Sequence, residues 1–136
     1  MKSKSASLIR LKKFQVDEKR RQVLQIETMI GDFERMAAEL DQQIEIEHQK
    51  TGITDTAHFA YSTFAKAAMT RRDNLLVSAN DMREKLEAAQ DDLAEAIEDL
   101  KKVELLDQRE NARENAEALK REQAEYDEIG RIRHRR

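Results

Sequence analysis

An all-α fold, a long antiparallel two-helix coiled-coil hairpin whose second helix overhangs the first, is what this 136-residue sequence predicts, and three observations carry it. Charged residues make up 39% of the chain, Pro, Cys and Trp are absent, and Gly occurs only three times, a composition that suits long helices better than a compact globule. Apolar residues recur at spacings alternating between three and four, which keeps a narrow stripe on one helix face and makes the seam of a left-handed coiled coil. A single cluster of turn residues, Thr51-Gly52-Ile53-Thr54-Asp55-Thr56, interrupts that rhythm.

The first helix is expected over about residues 6–50. Its seam is Val23, Ile26, Ile30, Phe33, Ala37, Leu40 and Ile44. Followed backward, the same phase meets Lys19, Val16, Lys12 and Ile9, so the seam frays toward the start, where Ser5 or Ser7 is the expected N-cap. Gly31 lies inside this helix at a cost of ~1 kcal/mol relative to Ala, and no Pro forces a break. The turn is expected at 51–56. Gly52 supplies the left-handed residue that closes one helix, and Thr54, Asp55 or Thr56 caps the next. So short a connection makes the helices antiparallel neighbours.

The second helix is expected over about residues 57–130. Its seam begins Tyr61, Phe64, Ala68, is interrupted at Arg71, and resumes as Leu75, Ala79, Met82, Leu86, Ala89, Leu93, Ala96, Leu100 and Val103. After Leu105 and Leu106 the pattern slips and thins to Ala112, Ala116, Leu119 and Tyr126. At ~1.5 Å per residue the first helix spans roughly 65 Å and the second roughly 110 Å, so residues from about 106 onward have no partner in the chain. No repeat and no linker divides residues 1–136, which predicts one coiled-coil domain.

Several kinds of chemistry are excluded by what is missing. The Gly residues at 31, 52 and 130 cannot form a phosphate-cradling loop, and Ser and Thr meet no His–acid constellation at an informative spacing. His48 and His58 flank the turn near Glu45 and Glu47, without the paired-ligand spacing of a metal site. The expectation is therefore a non-enzyme with no catalytic residue, no metal and no cofactor. No stretch reaches the ~20 apolar residues of a membrane span, and Arg10 to Lys13 cut the early apolar run short of a signal-peptide core, so the chain is expected to be soluble and not exported.

The net charge of −3 is unevenly distributed. Residues 1–21 are basic, the stretch Glu84, Glu87, Asp91, Asp92, Glu95, Glu98, Asp99 is acidic, and the chain ends on Arg131, Arg133, His134, Arg135 and Arg136. The basic runs lack interleaved aromatics, which argues against nucleic acid. The last of them either complements the negative end of a long helix dipole or meets a protein partner. The segment from His58 to Ala68 holds Phe59, Tyr61 and Phe64, three of six aromatics in the chain. Phe59 and Tyr61 are about 200° apart around a helix, so both cannot face the seam. The cluster either plugs the hairpin end or presents an aromatic anchor to another protein.

The segments Leu8-Ile9-Arg10-Leu11-Lys12-Lys13-Phe14, Asp17-Glu18-Lys19-Arg20-Arg21, and His58-Phe59-Ala60-Tyr61 leading to Arg71-Arg72-Asp73-Asn74-Leu75 give the chain a resemblance to the FliJ family, the soluble stalk component of the bacterial flagellar export apparatus, nearest its alphaproteobacterial branch. The resemblance implies a coiled coil similar to the central stalk of rotary ATPases, at the cytoplasmic face of the flagellar basal body and peripheral to the membrane through protein partners only. The partners it implies are the hexameric export ATPase with its regulator, the cytoplasmic domain of the export gate, and export chaperones or substrates. Combined with the charge pattern, it puts the ATPase-ring contact at Leu8, Ile9, Leu11, Lys12, Lys13, Tyr126, Ile129 and Ile132. The export-gate contact falls at Phe59, Tyr61, Phe64, Arg71 and Arg72. The competing reading is a structural coiled-coil adaptor or spacer that dimerises through its overhanging tail and has no motor partner.

Overall fold

The structure, a computed structural model, describes residues 2–135, with side chains from Ser5 onward. Helix α1 (Lys2–Thr51) and helix α2 (Thr63–His134) are joined by residues 52–62 and pack against each other as a helical hairpin. No strand occurs among the described residues. The chain forms two compact units, one of Asp17–Ala94 and one of Met1–Val16 with Glu95–Arg136.

The heptad rhythm of α1 is borne out by burial. Its buried residues are Val16, Val23, Ile30, Ala37 and Ile44, spaced seven apart; Ile9, one heptad before Val16, and the alternate seam positions Lys12, Lys19, Ile26, Phe33 and Leu40 are half-buried. On α2 the buried positions are Ala65, Ala68, Ala79 and Ala89, every one an alanine. Within the unit Asp17–Ala94 the seam thus sets mostly β-branched side chains of one helix against small ones of the other. That arrangement lets two helices approach and still fill the space between them.

Two positions of the α2 seam differ from the expected phase. Ala65 is fully buried and Phe64 is 55% exposed, and Arg72, not Arg71, takes the next seam position. Reading back from Leu75, the set Arg72, Ala68, Ala65, Tyr61 keeps the alternation of three and four unbroken. The set with Arg71 and Phe64 would place two fours in succession around Leu75. Continuity of the heptad wins over the size of the phenyl ring.

A guanidinium in the seam needs counter-charge. The Arg72 group donates to Asp41 at 2.8 Å on α1 and to Asp73 at 3.1 Å on its own helix. The hydrogen bond to Asp41 and the support of Asp73 raise its pKa above the ordinary arginine value, against the opposing effect of partial burial. A second clasp joins Arg83 to Glu34 across the hairpin, with Asn80 accepting from the same guanidinium at 2.6 Å.

Both helix starts differ from expectation. Helix α1 already includes Ser5 and Ser7, so neither is its N-cap, and Ser5 Oγ instead donates to Glu110 Oε2 on α2 at 3.3 Å. Helix α2 begins at Thr63, not near residue 57, because Asp55 and His58 turn the chain twice before it can coil. Asp55 Oδ1 accepts the Ala57 N–H and its carbonyl accepts the His58 N–H, while His58 Nδ1 accepts the Ala60 N–H and its carbonyl accepts the Tyr61 N–H. Ser62 is then the N-cap, its Oγ accepting the Ala65 N–H at 3.2 Å. Gly52 closes α1 as expected, with a φ of 70° and its N–H on the His48 carbonyl at 2.9 Å.

In the unit of Met1–Val16 with Glu95–Arg136, the first turns of α1 lie against α2 through Ile9, Lys12 and Val16 on one side. Ala96, Leu100, Val103, Asp107 and Asn111 are among the half-buried α2 positions. Polar residues enter the seam here, and beyond Asn111 every described residue to Arg135 is exposed.

Three substitutions test this packing and the cap of α2. Ile44→Ala removes a buried seam side chain and is expected to destabilise by about 2–3 kcal/mol in urea unfolding, whereas Ile46→Ala, at an exposed position of the same turn, changes little. Ser62→Ala removes the cap of α2 and is expected to cost about 1 kcal/mol, with faster amide exchange at Ala65.

Candidate protein-binding surfaces

Near the hairpin connection, the aromatic cluster divides between the two roles left open by the sequence. Tyr61 is half-buried, its hydroxyl 2.7 Å from His48 Nε2 and 3.3 Å from Met69 Sδ. Its single phenolic hydrogen serves one of them at a time. The His48 and Tyr61 rings also touch at a tilted angle, their centroids 5.5 Å apart. Ser62 Oγ donates to Glu47 Oε1 at 3.0 Å, so α1 and the start of α2 are fastened twice at this end. Tyr61 plugs the turn.

Phe59 does the opposite. It is 97% exposed and stacks only on its neighbour His58, with centroids 4.7 Å apart and planes 21° apart. A phenyl ring left in water forgoes most of the ~1.5–3 kcal/mol that burial provides. Phe64 and Arg71 are exposed close by in sequence, while Arg72 is engaged by Asp41 and Asp73. Of the five residues singled out for this end, Phe59, Phe64 and Arg71 are therefore free for an external contact, and Tyr61 and Arg72 are committed within the chain.

At the other candidate surface, in the unit that holds both chain ends, Leu8, Leu11 and Lys13 are exposed and Ile9 and Lys12 are half-buried. On α2, Tyr126 is 71% exposed, and Ile129 and Ile132 are about half exposed. Leu119, Tyr126 and Ile129 fall three, seven or ten residues apart and so share a stripe along one side of the helix. Phe14, Leu105 and Leu106 are also exposed, and the sequence reading assigned them no role. Their signal was available, because an apolar residue off the seam phase has no place in a two-helix core. An open groove beside them is lined by Leu8, Val103, Leu106, Asp107 and Arg109, among others.

Among the described residues no group of three or more His, Asp or Glu side chains is placed to hold a metal ion. No described helix is long and apolar enough to cross a membrane. What the chain offers on its surface is exposed apolar side chains set among charges, the elements from which protein interfaces are made.

No curated protein and no solved structure matches the chain. A family model described as "Flagellar FliJ protein" matches it over residues 1–136, its whole length. The chain belongs to the FliJ family of flagellar proteins and is a component of flagellar protein export.

Proposed function

We propose that this protein is a stalk-like adaptor of the flagellar export apparatus, working on the cytoplasmic side, which binds the export ATPase ring through its terminal segments and the export gate through its hairpin connection. In this reading it also escorts export chaperones or their cargo. The observation that carries it is the run of α2 from residue 112 to residue 135, helical almost to its end yet wholly exposed, with Leu119, Tyr126, Ile129 and Ile132 uncovered. An isolated charged helix of that length is marginal in water, so a helix kept this long without cover has its partner elsewhere.

The ring contact is made by Leu8, Leu11, Lys13, Tyr126, Ile129 and Ile132, with Ile9 and Lys12 half-buried beside them. Arg131, Arg133 and Arg135 draw in an acidic partner surface. The gate contact centres on Phe59, with Phe64 and Arg71 at its rim, with Tyr61 holding the turn beneath it and with Arg72 tied to Asp41 farther along the hairpin.

Turnover of the cognate ATPase, measured against each variant, tests the assignment. Lys13→Glu is expected to slow association in a salt-sensitive way, since exposed charges act mainly on encounter, and Ile129→Ala to speed release by about tenfold. Phe59→Ala is expected to leave ATPase stimulation intact and to weaken binding to the cytoplasmic domain of the gate by about 30-fold, the scale of an aromatic hot spot. Loss of stimulation in Phe59→Ala, with Ile129→Ala like the parent, would reverse the two surfaces. If neither partner binds and residues 112–135 pair with a second copy, the adaptor reading replaces this one.

A further inference from the structure

The connection between the helices is held by a histidine in the role that asparagine or aspartate usually fills. His58 Nδ1 accepts the N–H of Ala60, two residues on, at 3.0 Å. Asparagine and aspartate close such a turn with Oδ1, an atom at the same remove from the backbone as Nδ1, and Asp55 does so with the Ala57 N–H at 2.9 Å. The two turns are joined in series, because the His58 N–H is donated to the Asp55 carbonyl and the Tyr61 N–H to the His58 carbonyl. They differ in one property. A carboxylate accepts at any pH well above about 4, whereas an imidazole nitrogen accepts only while it carries no proton.

A backbone N–H can only donate, so the bond to Ala60 fixes the state of the ring: His58 is neutral, with its hydrogen on Nε2. A proton added at Nδ1 sets two donors against each other, and the bond is lost. The ring is exposed, so solvent delivers that proton directly. The titratable groups of the elements that meet here are Asp55 and Tyr61 in the connection, Glu47, His48 and Lys50 at the end of α1, and Lys66 in the first turn of α2. Asp55 serves Ala57, Glu47 serves Ser62 and His48 serves Tyr61, and among the described residues none of these side chains is paired with the His58 ring.

What moves with the ring is Phe59. It is 97% exposed and its one ring contact is the stack on His58. An imidazolium is still attracted to the face of a phenyl ring, so protonation does not part the pair. It removes the hydrogen bond that decides where the pair points. We propose that His58 is a proton-sensitive latch of the hairpin connection, which holds the His58–Phe59 pair in one pose when neutral and frees it from Ala60 when protonated. The latch is closed above the range in which imidazoles titrate and opens as pH falls through that range. It belongs to the chain alone, and it stands whether or not Phe59 meets the export gate.

NMR of the full chain, titrated from about pH 8 to about pH 5.5, tests it. At the upper end the His58 ring is expected to be the Nε2–H tautomer, with a scalar coupling from Nδ1 to the Ala60 amide nitrogen across the hydrogen bond. On acidification the coupling disappears, the Ala60 amide shift follows the titration of the His58 ring, and its protection against exchange falls about fivefold, the scale of one ordinary hydrogen bond. His58→Asn supplies an Oδ1 that does not titrate, and is expected to keep Ala60 protected equally throughout the range. His58→Ala is expected to lose that protection at every pH, while the buried Ile44 stays protected in all variants and shows the hairpin intact. An Nδ1–H tautomer at the upper end, an Ala60 amide indifferent to the His58 titration, or a His58→Asn chain whose Ala60 amide titrates like the parent's would each overturn the proposal.

Discussion

Burial along a single narrow seam is the constraint on which the rest of this protein depends. Two helices can hide only the facing stripe of each, and here the stripe on α1 is Val16, Val23, Ile30, Ala37 and Ile44, one residue in seven. With no third layer to cover the remaining faces, most large apolar residues off the seam phase are left in water. Phe14, Leu24, Phe59, Leu106 and Tyr126 are all in that position. In a larger protein a few exposed apolar side chains need no explanation. In a two-helix protein they are the chief means of holding a partner, since a pair of helices encloses no deep cleft for a substrate.

The same constraint explains how charge is used. Arg72 stands at a seam position and is retained there by Asp41 and Asp73, and Arg83 spans the hairpin to Glu34. Exposed or half-exposed pairs of this kind contribute little stability, of the order of ~0.2–1 kcal/mol each. What they supply is register. A one-heptad slide of α2 along α1 would bring Arg72, Leu75 and Leu86 to the places where Ala65, Ala68 and Ala79 pack, and would move the guanidinium of Arg72 away from Asp41. The tip adds a second lock, because the Tyr61–His48 and Ser62–Glu47 contacts exist in one alignment of the helices only.

Gly31 and the exposed end of α2 raise the same physical question from opposite directions. One is a residue that costs helix stability with no return inside the chain, and the other is a helix that persists with no cover inside the chain. Membership of a flagellar export family supplies a class of protein partner for the second.

How much of the fold is legible in the sequence follows from the range of the forces involved. The heptad of α1 can be read residue by residue, because seam burial repeats along one helix and needs only the order of apolar side chains. The family is legible too, in the off-heptad segments around Leu8–Phe14 and His58–Tyr61. The start of α2 is not. Asp55, His58 and Ser62 are all competent to accept backbone N–H groups, and propensity alone does not say which turn each will cap. Nor is the phase between Tyr61 and Leu75, where Phe64 and Ala65, or Arg71 and Arg72, compete for one position. Size and polarity favour the phenylalanine, and the choice falls to Ala65 and Arg72 because only they continue the stripe that α1 covers, with Asp41 across the seam to receive the charge. Sequence determined that two helices would pair and which stripe of α1 would be dry. The tertiary structure decided which aromatic was left outside, because that depends on contacts between residues that only folding brings together.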